Sequence, residues 1–221
     1  MTTAWAVVVA GGSGIRFGGP KQFALLGGRP VVTWAVDACR SACDGVVLVV
    51  PAGELDDGRS FGADLVVAGG STRSASVRHG LAAVPAEAGV VVVHDAARPL
   101  APPDLFRAVL AALADPEPGG ASAPAGAIPA LPVSDTLKRI DPERDTVTAT
   151  VSRGDLVAVQ TPQAFRADVL RRAHAGEDDA TDDATLVEAL GATVRVVAGD
   201  PRNVKLTTPA DLAFAERLLR A

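Results

Sequence analysis

The sequence has few aromatic residues, few cysteines and no long hydrophobic run. Tyrosine is absent and aromatic residues make up 4% of the 221 residues, against 48% for apolar residues as a whole, which predicts a core of valine, alanine and leucine. Because no apolar run approaches the roughly 20 residues of a membrane span, no membrane-spanning helix is expected. The two cysteines, Cys39 and Cys43, have no further cysteine to complete a metal site, and we expect both to be reduced core residues.

The sequence also lacks an excess of positive charge and a recognisable targeting segment. Its formal net charge of −5 argues against a surface for nucleic acid or for an anionic membrane. The N-terminus has neither the basic region nor the small-residue cleavage site of a signal peptide, so we expect a cytoplasmic protein. The length predicts a single domain over residues 1–221, large enough to bury a core.

Lysine is rare in this chain. Only three of the 21 Lys and Arg residues are lysine, namely Lys21, Lys138 and Lys205. A sequence that otherwise uses arginine therefore keeps lysine in the stretches PKQF and NVKLT. A compact ammonium fits where a planar guanidinium does not, which makes Lys21 and Lys205 candidate functional residues, with chance retention as the alternative.

What the sequence does contain is a regular alternation of short valine-rich runs and helix-like stretches. The predicted strands are residues 6–10, 46–50, 65–68, 90–94, 126–129 and 194–198, and the predicted helices are residues 31–42, 75–84, 103–114, 166–174, 182–190 and 209–220. Continuous apolar strands indicate a sheet covered on both faces, and strand–helix alternation predicts an α/β fold with a mostly parallel sheet. Ligands are then expected at the carboxyl ends of its strands.

Residues 133–163 interrupt this alternation. Two β-rich runs flank the polar turn DPERD, which predicts a hairpin arm that leaves the core and packs on a second subunit. Further on, the acidic run GEDDATDD lacks the spacing of a calcium loop, and we interpret it as a solvated loop in which Thr181 or Asp182 caps the next helix.

The first strand runs into the glycine-rich loop AGGSGIRFGGPKQF. Gly12 and Gly14 fit a dinucleotide fingerprint, but Phe17 stands at its third glycine, and no acid closes the second strand. A P-loop is excluded as well, because Pro20 precedes the lysine and Gln22 replaces the magnesium-binding hydroxyl.

Such a loop still presents backbone N–H groups to phosphates at the end of a strand. Arg16 and Lys21 add two positive charges at the same place, and this combination suits a triphosphate whose charge moves during a reaction. The alternative is an ordinary glycine-rich turn with solvent-facing cations.

Two further motifs follow predicted strands. HDAARP places Asp95, Ala96 and Arg98 where a substrate hydroxyl or a metal would bind, although Asp95 and Arg98 could instead form a structural pair; we expect His94 to be a satisfied, partly buried residue. In AGGSTRSAS, two glycines let a flat ring approach the backbone while two side chains contact polar atoms. These residues are Gly69, Gly70, Arg73 and Ser76.

Taken together, these motifs and DTLKR, TVSR, QTPQAF, TDDA and NVKLT resemble one known family, the 2-C-methyl-D-erythritol 4-phosphate cytidylyltransferases of the non-mevalonate isoprenoid pathway. The resemblance spans nearly the whole chain in order, and HDAARP and PKQ are specific to that family and its closest relatives. It implies a Rossmann-like nucleotidyltransferase fold, a homodimer joined through the 133–163 arm, CTP as co-substrate and Mg²⁺ as cofactor.

The resemblance also implies roles for individual residues. Arg16 and Lys21 match the family's transition-state stabilisers, and Arg153 and Lys205 match the pair that positions methylerythritol phosphate. Further implied substrate contacts are Asp95, Arg98, Thr136 and Thr161, with Thr136 and Arg153 reaching in from the partner subunit. Implied contacts to the nucleotide come from Ala10, Gly11, Gly12, Gly14, Gly69, Gly70, Arg73, Ser76 and Ala96. Asp95 also lies near the expected metal.

Three other functions stay open at this point. A guanylyl- or sugar-nucleotidyltransferase is less favoured, because HDAARP and the arm would then need another explanation. Ribitol 5-phosphate cytidylyltransferases share much of this scaffold, and motifs for CTP binding do not separate the two acceptors. The chain could also be a catalytically silent nucleotide-binding protein, although intact Arg16, Lys21, Arg153 and Lys205 argue against such a loss of activity.

Overall fold

The fold is built around an eight-stranded mixed sheet, seen in a computed structural model that describes residues 2–12, 17–55, 58–115 and 123–220. The strands in chain order are β1 Ala4–Val9, β2 Leu25–Leu26, β3 Arg29–Pro30, β4 Gly45–Val50, β5 Leu65–Ala68, β6 Val90–Asp95, β7 Gly126–Pro132, β8 Leu137–Asp141, β9 Thr146–Val151, β10 Val157–Val159, β11 Gln163–Arg166 and β12 Val194–Ala198. The helices are α1 Val31–Arg40, α2 Arg73–Ala83, α3 Pro103–Ala114, α4 Ala167–Ala173, α5 Asp183–Ala189 and α6 Pro209–Arg220.

The sheet has the strand order β10-β7-β11-β6-β1-β4-β5, and β12 also pairs with β7, along residues 126–130. Strands β6, β1, β4 and β5 are parallel neighbours, as are β12 and β7. Strand β11 runs antiparallel between β6 and β7, and β10 is antiparallel to β7. The carboxyl ends of the four central parallel strands therefore meet at one edge, where the predicted motifs begin.

Helices cover both faces of this sheet, which explains the continuous apolar strands. On one face, side chains of α1 and α3 such as Val36 and Phe106 pack with Val8 and Leu48. On the other face, α2, α4 and α5 pack against the alternate residues of the same strands, including Val7. Because successive side chains of a strand point to opposite faces, and both faces are covered, all of β4 and most positions of β1 and β6 are buried.

The core is as poor in aromatic residues as the composition predicts, and both cysteines belong to it. Cys39 is fully buried and Cys43 partly so, and neither forms a disulfide. Burial raises the pKa of Cys43 to about 12 and also raises that of Cys39, so both thiols stay protonated and unreactive near neutral pH. Across the described ranges, none of the helices combines the length and apolar character that crossing a bilayer needs.

The segment 133–163 divides between a hairpin and the main sheet. Strands β8 and β9 form a separate two-stranded antiparallel sheet, with an irregularity between Arg139 and Ile140. Most of their side chains are exposed, including Ile140 and Val147. Strands β10 and β11 return to the main sheet, so the portion that lies outside it is shorter than the interval 133–163.

Candidate active site

The central edge of the sheet opens into a cavity of about 410 Å³ that we call the glycine pocket. It is formed by the loops after β1 and β6, the N-terminus of α2, and lysines from two other segments. The predicted site residues that line it are Ala10, Gly11, Gly12, Lys21, Gly70, Arg73, Ser76, Asp95, Ala96 and Lys205. Its size suits a nucleotide-sized ligand, since ligand pockets commonly span about 300–1,000 Å³. Arg16 and Gly14 lie outside the described residues.

A second cavity, of about 400 Å³, adjoins the first, and we call it the threonine pocket. Thr161, Thr181 and Thr185 line it together with Arg98 and other polar groups. Three residues line both pockets, namely Arg73, Asp95 and Lys205. These three residues therefore form the wall at which the two cavities meet.

The shared wall is a row of alternating charges. Lys205 Nζ lies 2.7 Å from Asp95 Oδ2, and Arg73 Nε lies 3.5 Å from Asp95 Oδ1. Burial by itself would raise the pKa of Asp95, but Arg73 and Lys205 outweigh it and hold that pKa well below its usual range. Burial likewise opposes the charge on Arg73, whose pKa is nevertheless raised by Asp183 and Asp95. Asp95 and Arg73 thus stay ionised at neutral pH.

A buried hydrogen-bond chain fixes the backbone of Asp95. Burial lowers the pKa of His94 to about 4, so its ring is neutral at neutral pH. Since the Arg98 carbonyl, 3.1 Å from Nε2, only accepts, Nε2 carries the proton and Nδ1 accepts from the Thr161 hydroxyl at 3.0 Å. The same hydroxyl oxygen accepts the Asp95 N–H at 3.0 Å. The single proton of the Thr161 hydroxyl is therefore committed to His94, and His94 is fully rather than partly buried.

Arg98 bonds to backbone carbonyls of two other segments instead of pairing with Asp95. Its Nη1 donates to the Asn203 carbonyl at 2.7 Å and its Nη2 to the Val159 carbonyl at 3.4 Å. No ion pair joins Arg98 to Asp95, although the structure describes both residues in full, so the structural pair considered from the sequence does not form. The Nε of Arg98 is buried and has no hydrogen-bond partner within the described part of the chain.

The turn before α2 requires glycine for close packing. A Cβ on Gly70 would collide with the Cβ of Ala75, and one on Gly69 would lie 2.9 Å from Ser76 Oγ. Ser76 Oγ accepts the Gly70 N–H at 3.1 Å and donates to the Thr72 carbonyl at 2.9 Å. This arrangement packs the Gly69–Gly70 segment against the first helical turn of α2, and it exposes backbone to the glycine pocket.

Lys21 begins a short 3₁₀ turn, Lys21–Phe23, beside the glycine pocket. The turn is held from outside by Phe23, whose ring stacks on that of Phe61 with 5.6 Å between centroids. Asp211, which accepts the N–H groups of Thr207 and Thr208 at the start of α6, has its pKa lowered, in small part by Lys21. Lys21 thus lies in a packed part of the structure.

Two predicted site residues lie away from both pockets of their own chain. Thr136 and Arg153 are exposed beside the β8–β9 hairpin, and neither lines a pocket. Arg153 Nη1 donates to the Val133 carbonyl at 3.2 Å. Within one chain, the structure does not bring Arg153 together with Lys21 and Lys205.

Sequence reasoning missed part of the buried network behind the wall. In the run interpreted as a solvated loop, Asp182 is indeed the cap of α5 and accepts the Thr185 N–H at 3.1 Å. The next residue, Asp183, is fully buried and pairs with Arg73 and His174. The available signal was an acid directly before the apolar stretch ATLV, where a solvent-facing side chain is not expected.

The chemistry of the carboxylates decides how a metal could bind. Asp95 is the single carboxylate among the described residues of the glycine pocket, and both of its oxygens are in ion pairs. No cluster of three or more His, Cys, Asp or Glu side chains suited to a metal occurs in the described part of the chain. Among the described lining residues, Asp95 is therefore the one carboxylate that could hold a metal ion in this pocket.

Comparison with known proteins gives matches over nearly the whole chain. The family described as IspD, 2-C-methyl-D-erythritol 4-phosphate cytidylyltransferase, matches residues 4–221. The protein of that name from Rhodococcus opacus is 48% identical over 221 residues, which cover 97% of this chain and 94% of the relative. The crystal structure of the Thermus thermophilus enzyme of the same name has a TM-score of 0.80 and 35% identity, covering 97% of this chain and 98% of its own. The 4-diphosphocytidyl-2C-methyl-D-erythritol synthase of Anaerococcus prevotii has a TM-score of 0.82 and 30% identity, covering 100% of this chain and 99% of its own.

Proposed function

Because the chain belongs to the 2-C-methyl-D-erythritol 4-phosphate cytidylyltransferase family, we propose that it transfers CMP from CTP to 2-C-methyl-D-erythritol 4-phosphate. The products are 4-diphosphocytidyl-2-C-methyl-D-erythritol and pyrophosphate, in non-mevalonate isoprenoid biosynthesis. The observation that carries this proposal is the pair of adjoining pockets whose common wall is Arg73, Asp95 and Lys205. Two substrates bound side by side would meet at that wall.

CTP occupies the glycine pocket in this proposal. The backbone of Gly11 and Gly12 and the N-terminus of α2 offer N–H groups and a favourable helix dipole to the phosphates. The flat cytosine ring lies against the turn at Gly69 and Gly70, of which Gly70 lines the pocket, and Ser76 supports that turn. Specificity for cytosine then comes mainly from backbone groups.

The acceptor occupies the threonine pocket, with its phosphate at the shared wall. One oxygen of that phosphate attacks the α-phosphorus of CTP, a new P–O bond forms, and the bond to the β-phosphate breaks to release pyrophosphate. A phosphomonoester has a second pKa near 6 and is largely a dianion at neutral pH, so the attack needs no general base. This agrees with His94, which is neutral and whose two ring nitrogens are both committed to hydrogen bonds.

Catalysis in this scheme is positioning and charge stabilisation. Lys21, with Arg16 from the same loop, neutralises the charge that grows on the leaving pyrophosphate. Lys205 and Arg153 hold the incoming phosphate in line. Lys205 suits this role because its side chain is about half exposed while Asp95 orients its ammonium at 2.7 Å.

Magnesium enters as part of the substrate, Mg–CTP. When bound, it supplies charge neutralisation on the triphosphate oxygens. Asp95 is the residue that would hold it on the protein side, and this requires the carboxylate to exchange part of its contact with Lys205 or Arg73.

The active assembly is a homodimer in this proposal, with the β8–β9 hairpin as the arm that joins the subunits. Exposed Ile140 and Val147 on the hairpin support this, because two isolated strands gain little stability without a packing surface. Thr136 and Arg153 would then complete the site of the partner subunit. A cytoplasmic location stays a prediction from the sequence.

Nucleotide-dependent product formation tests the proposed activity. The protein is incubated with methylerythritol phosphate, Mg²⁺ and one of CTP, UTP, ATP or GTP, and the nucleotidylated product and pyrophosphate are quantified together. We expect equal amounts of both with CTP and little of either with the other nucleotides. A folded protein that binds CTP but forms no product would contradict the proposal and favour the silent nucleotide-binding function.

A further inference from the structure

Asp183, the first residue of α5, is a buried carboxylate that lines neither pocket. Its side chain has no exposed surface, and its Oδ2 lies 2.8 Å from Arg73 Nη2, which is 110 residues away in the sequence. Its Oδ1 lies 3.0 Å from His174 Nε2, at the end of α4. Asp183 therefore connects the helix layer behind the sheet to the wall between the pockets.

The contacts of Arg73 are unequal. The contact with Asp183 measures 2.8 Å, whereas Arg73 Nε is 3.5 Å from Asp95. The stronger anchor of the guanidinium is thus the residue outside the site. Because Asp183 holds the Arg73 guanidinium in this position, Asp95 Oδ2 is left to pair with Lys205 Nζ at 2.7 Å.

One nitrogen of the Arg73 guanidinium is not used by either carboxylate. With Nη2 on Asp183 and Nε facing Asp95, the plane of the group is fixed at two points. The third nitrogen, Nη1, is buried and has no hydrogen-bond partner among the residues that the structure describes. A fixed, unused donor on a residue that lines both pockets is suited to donate a hydrogen bond to a substrate oxygen.

We propose that Asp183 is a positioning residue for CMP transfer, which anchors Arg73 and thereby sets where Arg73, Asp95 and Lys205 stand between the two substrates. The inference rests on the proposed function and deepens it. Removing the anchor lets the guanidinium turn onto Asp95, compete with Lys205 for that carboxylate and withdraw Nη1 from its place.

The test is a double-mutant cycle of Asp183→Asn and Arg73→Gln, with kcat/KM measured by pyrophosphate release from CTP and methylerythritol phosphate. Asp183→Asn is expected to lower kcat/KM by about tenfold to a hundredfold, the size of effect that a misplacement of about 1 Å produces. In the Arg73→Gln background the same change is expected to alter kcat/KM by less than about twofold, because Asp183 acts through Arg73. Equal effects in both backgrounds, or wild-type kcat/KM in folded Asp183→Asn, would overturn the proposal.

Control variants separate positioning from folding. His174→Gln keeps a donor for Asp183 Oδ1 and leaves Arg73 untouched, so its kcat/KM is expected to stay within about threefold of wild type even where its melting temperature falls. Should Asp183→Asn fail to fold, Arg73→Lys replaces it: an ammonium keeps the charge but does not span Asp183 and Asp95 together. We expect a loss of at least about tenfold, and wild-type kcat/KM in Arg73→Lys would overturn the proposal.

A spectroscopic measurement makes the result independent of the substrates. The side-chain Nε–H of Arg73, identified by its disappearance in Arg73→Gln, is expected to give a sharp NMR signal in the wild type and in His174→Gln, and to broaden in Asp183→Asn. A wild type that releases no pyrophosphate with this acceptor would contradict the proposed function alone. An unchanged Arg73 signal in Asp183→Asn would contradict the anchoring role alone.

Discussion

Lys21 is the single residue on which the proposed chemistry depends most. It lines the glycine pocket, and its ammonium would face the charge that develops on pyrophosphate. Lys21→Ala is expected to lower kcat on the order of a hundredfold or more, because a preorganised charge at a leaving group commonly supplies a few kcal/mol. The matched control is Arg107→Ala, which removes an exposed cation that pairs with Asp104 on the same helix. Near-wild-type turnover in a folded Lys21→Ala protein would show that the role is wrong.

His94 makes stability depend on pH in a defined window. Its pKa is about 4 in the folded protein, because burial disfavours the imidazolium, and about 6.5 in an unfolded chain. Between these values the unfolded state binds more protons, so stability is full above about pH 6.5 and falls towards pH 4, by on the order of 3 kcal/mol in total. Chemical denaturation at several pH values checks this. In His94→Gln, the free energy of unfolding is expected to lose this part of its pH dependence. Parallel pH profiles of the two proteins would contradict the assignment.

At the residue scale, the sequence predicts which side chains reach the site better than it predicts what they do there. Asp95, Lys21 and Lys205 all line the glycine pocket. The position of Asp95 after a predicted strand indicates this, as does the rarity of lysine for Lys21 and Lys205. The commitment of the Thr161 hydroxyl to His94 depends on contacts 67 residues apart, and the sequence contains no local signal for it. Asp183 was missed for a related reason, since its partner Arg73 is distant in the chain.

At the scale of elements, the turn before α2 gives the sharpest prediction. Gly70→Ala is expected to raise the KM for CTP at least about tenfold, because the added Cβ collides with Ala75 and displaces the N-terminus of α2 from the glycine pocket. Gly53→Ala is the control, since a Cβ there meets nothing within 4 Å. Steady-state kinetics with varied CTP checks both variants, and an unchanged KM in Gly70→Ala would contradict this role for the turn.

Most helices and strands could be predicted from the sequence, whereas β10 and β11 could not. The six predicted helices and six predicted strands all occur, and most of them are periodic or continuous apolar stretches, although the apolar residues of α2 form no clear stripe. Strands β10 and β11 were not distinguished within residues 133–163, since they have three and four residues and lie among other β-rich runs. Whether such a run joins the main sheet is decided by pairing with β7, which is a tertiary property.

For the whole molecule, the proposed shared site predicts complementation between inactive variants. If Arg153 acts on the partner's site, a heterodimer of Lys21→Ala and Arg153→Ala subunits contains one complete site and one that lacks both residues. Each variant alone is expected to be nearly inactive, and isolated heterodimers are expected to regain about half of the wild-type activity. Differently tagged subunits allow their purification. Heterodimers that regain no activity would place Arg153 in its own subunit's site, and near-wild-type activity of Arg153→Ala alone would place it outside the chemistry.

The identity of the acceptor is the central claim, and one measurement tests it directly. Initial rates of pyrophosphate release are compared with CTP and Mg²⁺ held constant, using methylerythritol 4-phosphate and ribitol 5-phosphate at equal concentrations. The account predicts rapid release with methylerythritol 4-phosphate and little with ribitol 5-phosphate. Preference for ribitol 5-phosphate would contradict it: the fold and the CTP pocket would stand, and the enzyme would belong to polyol metabolism.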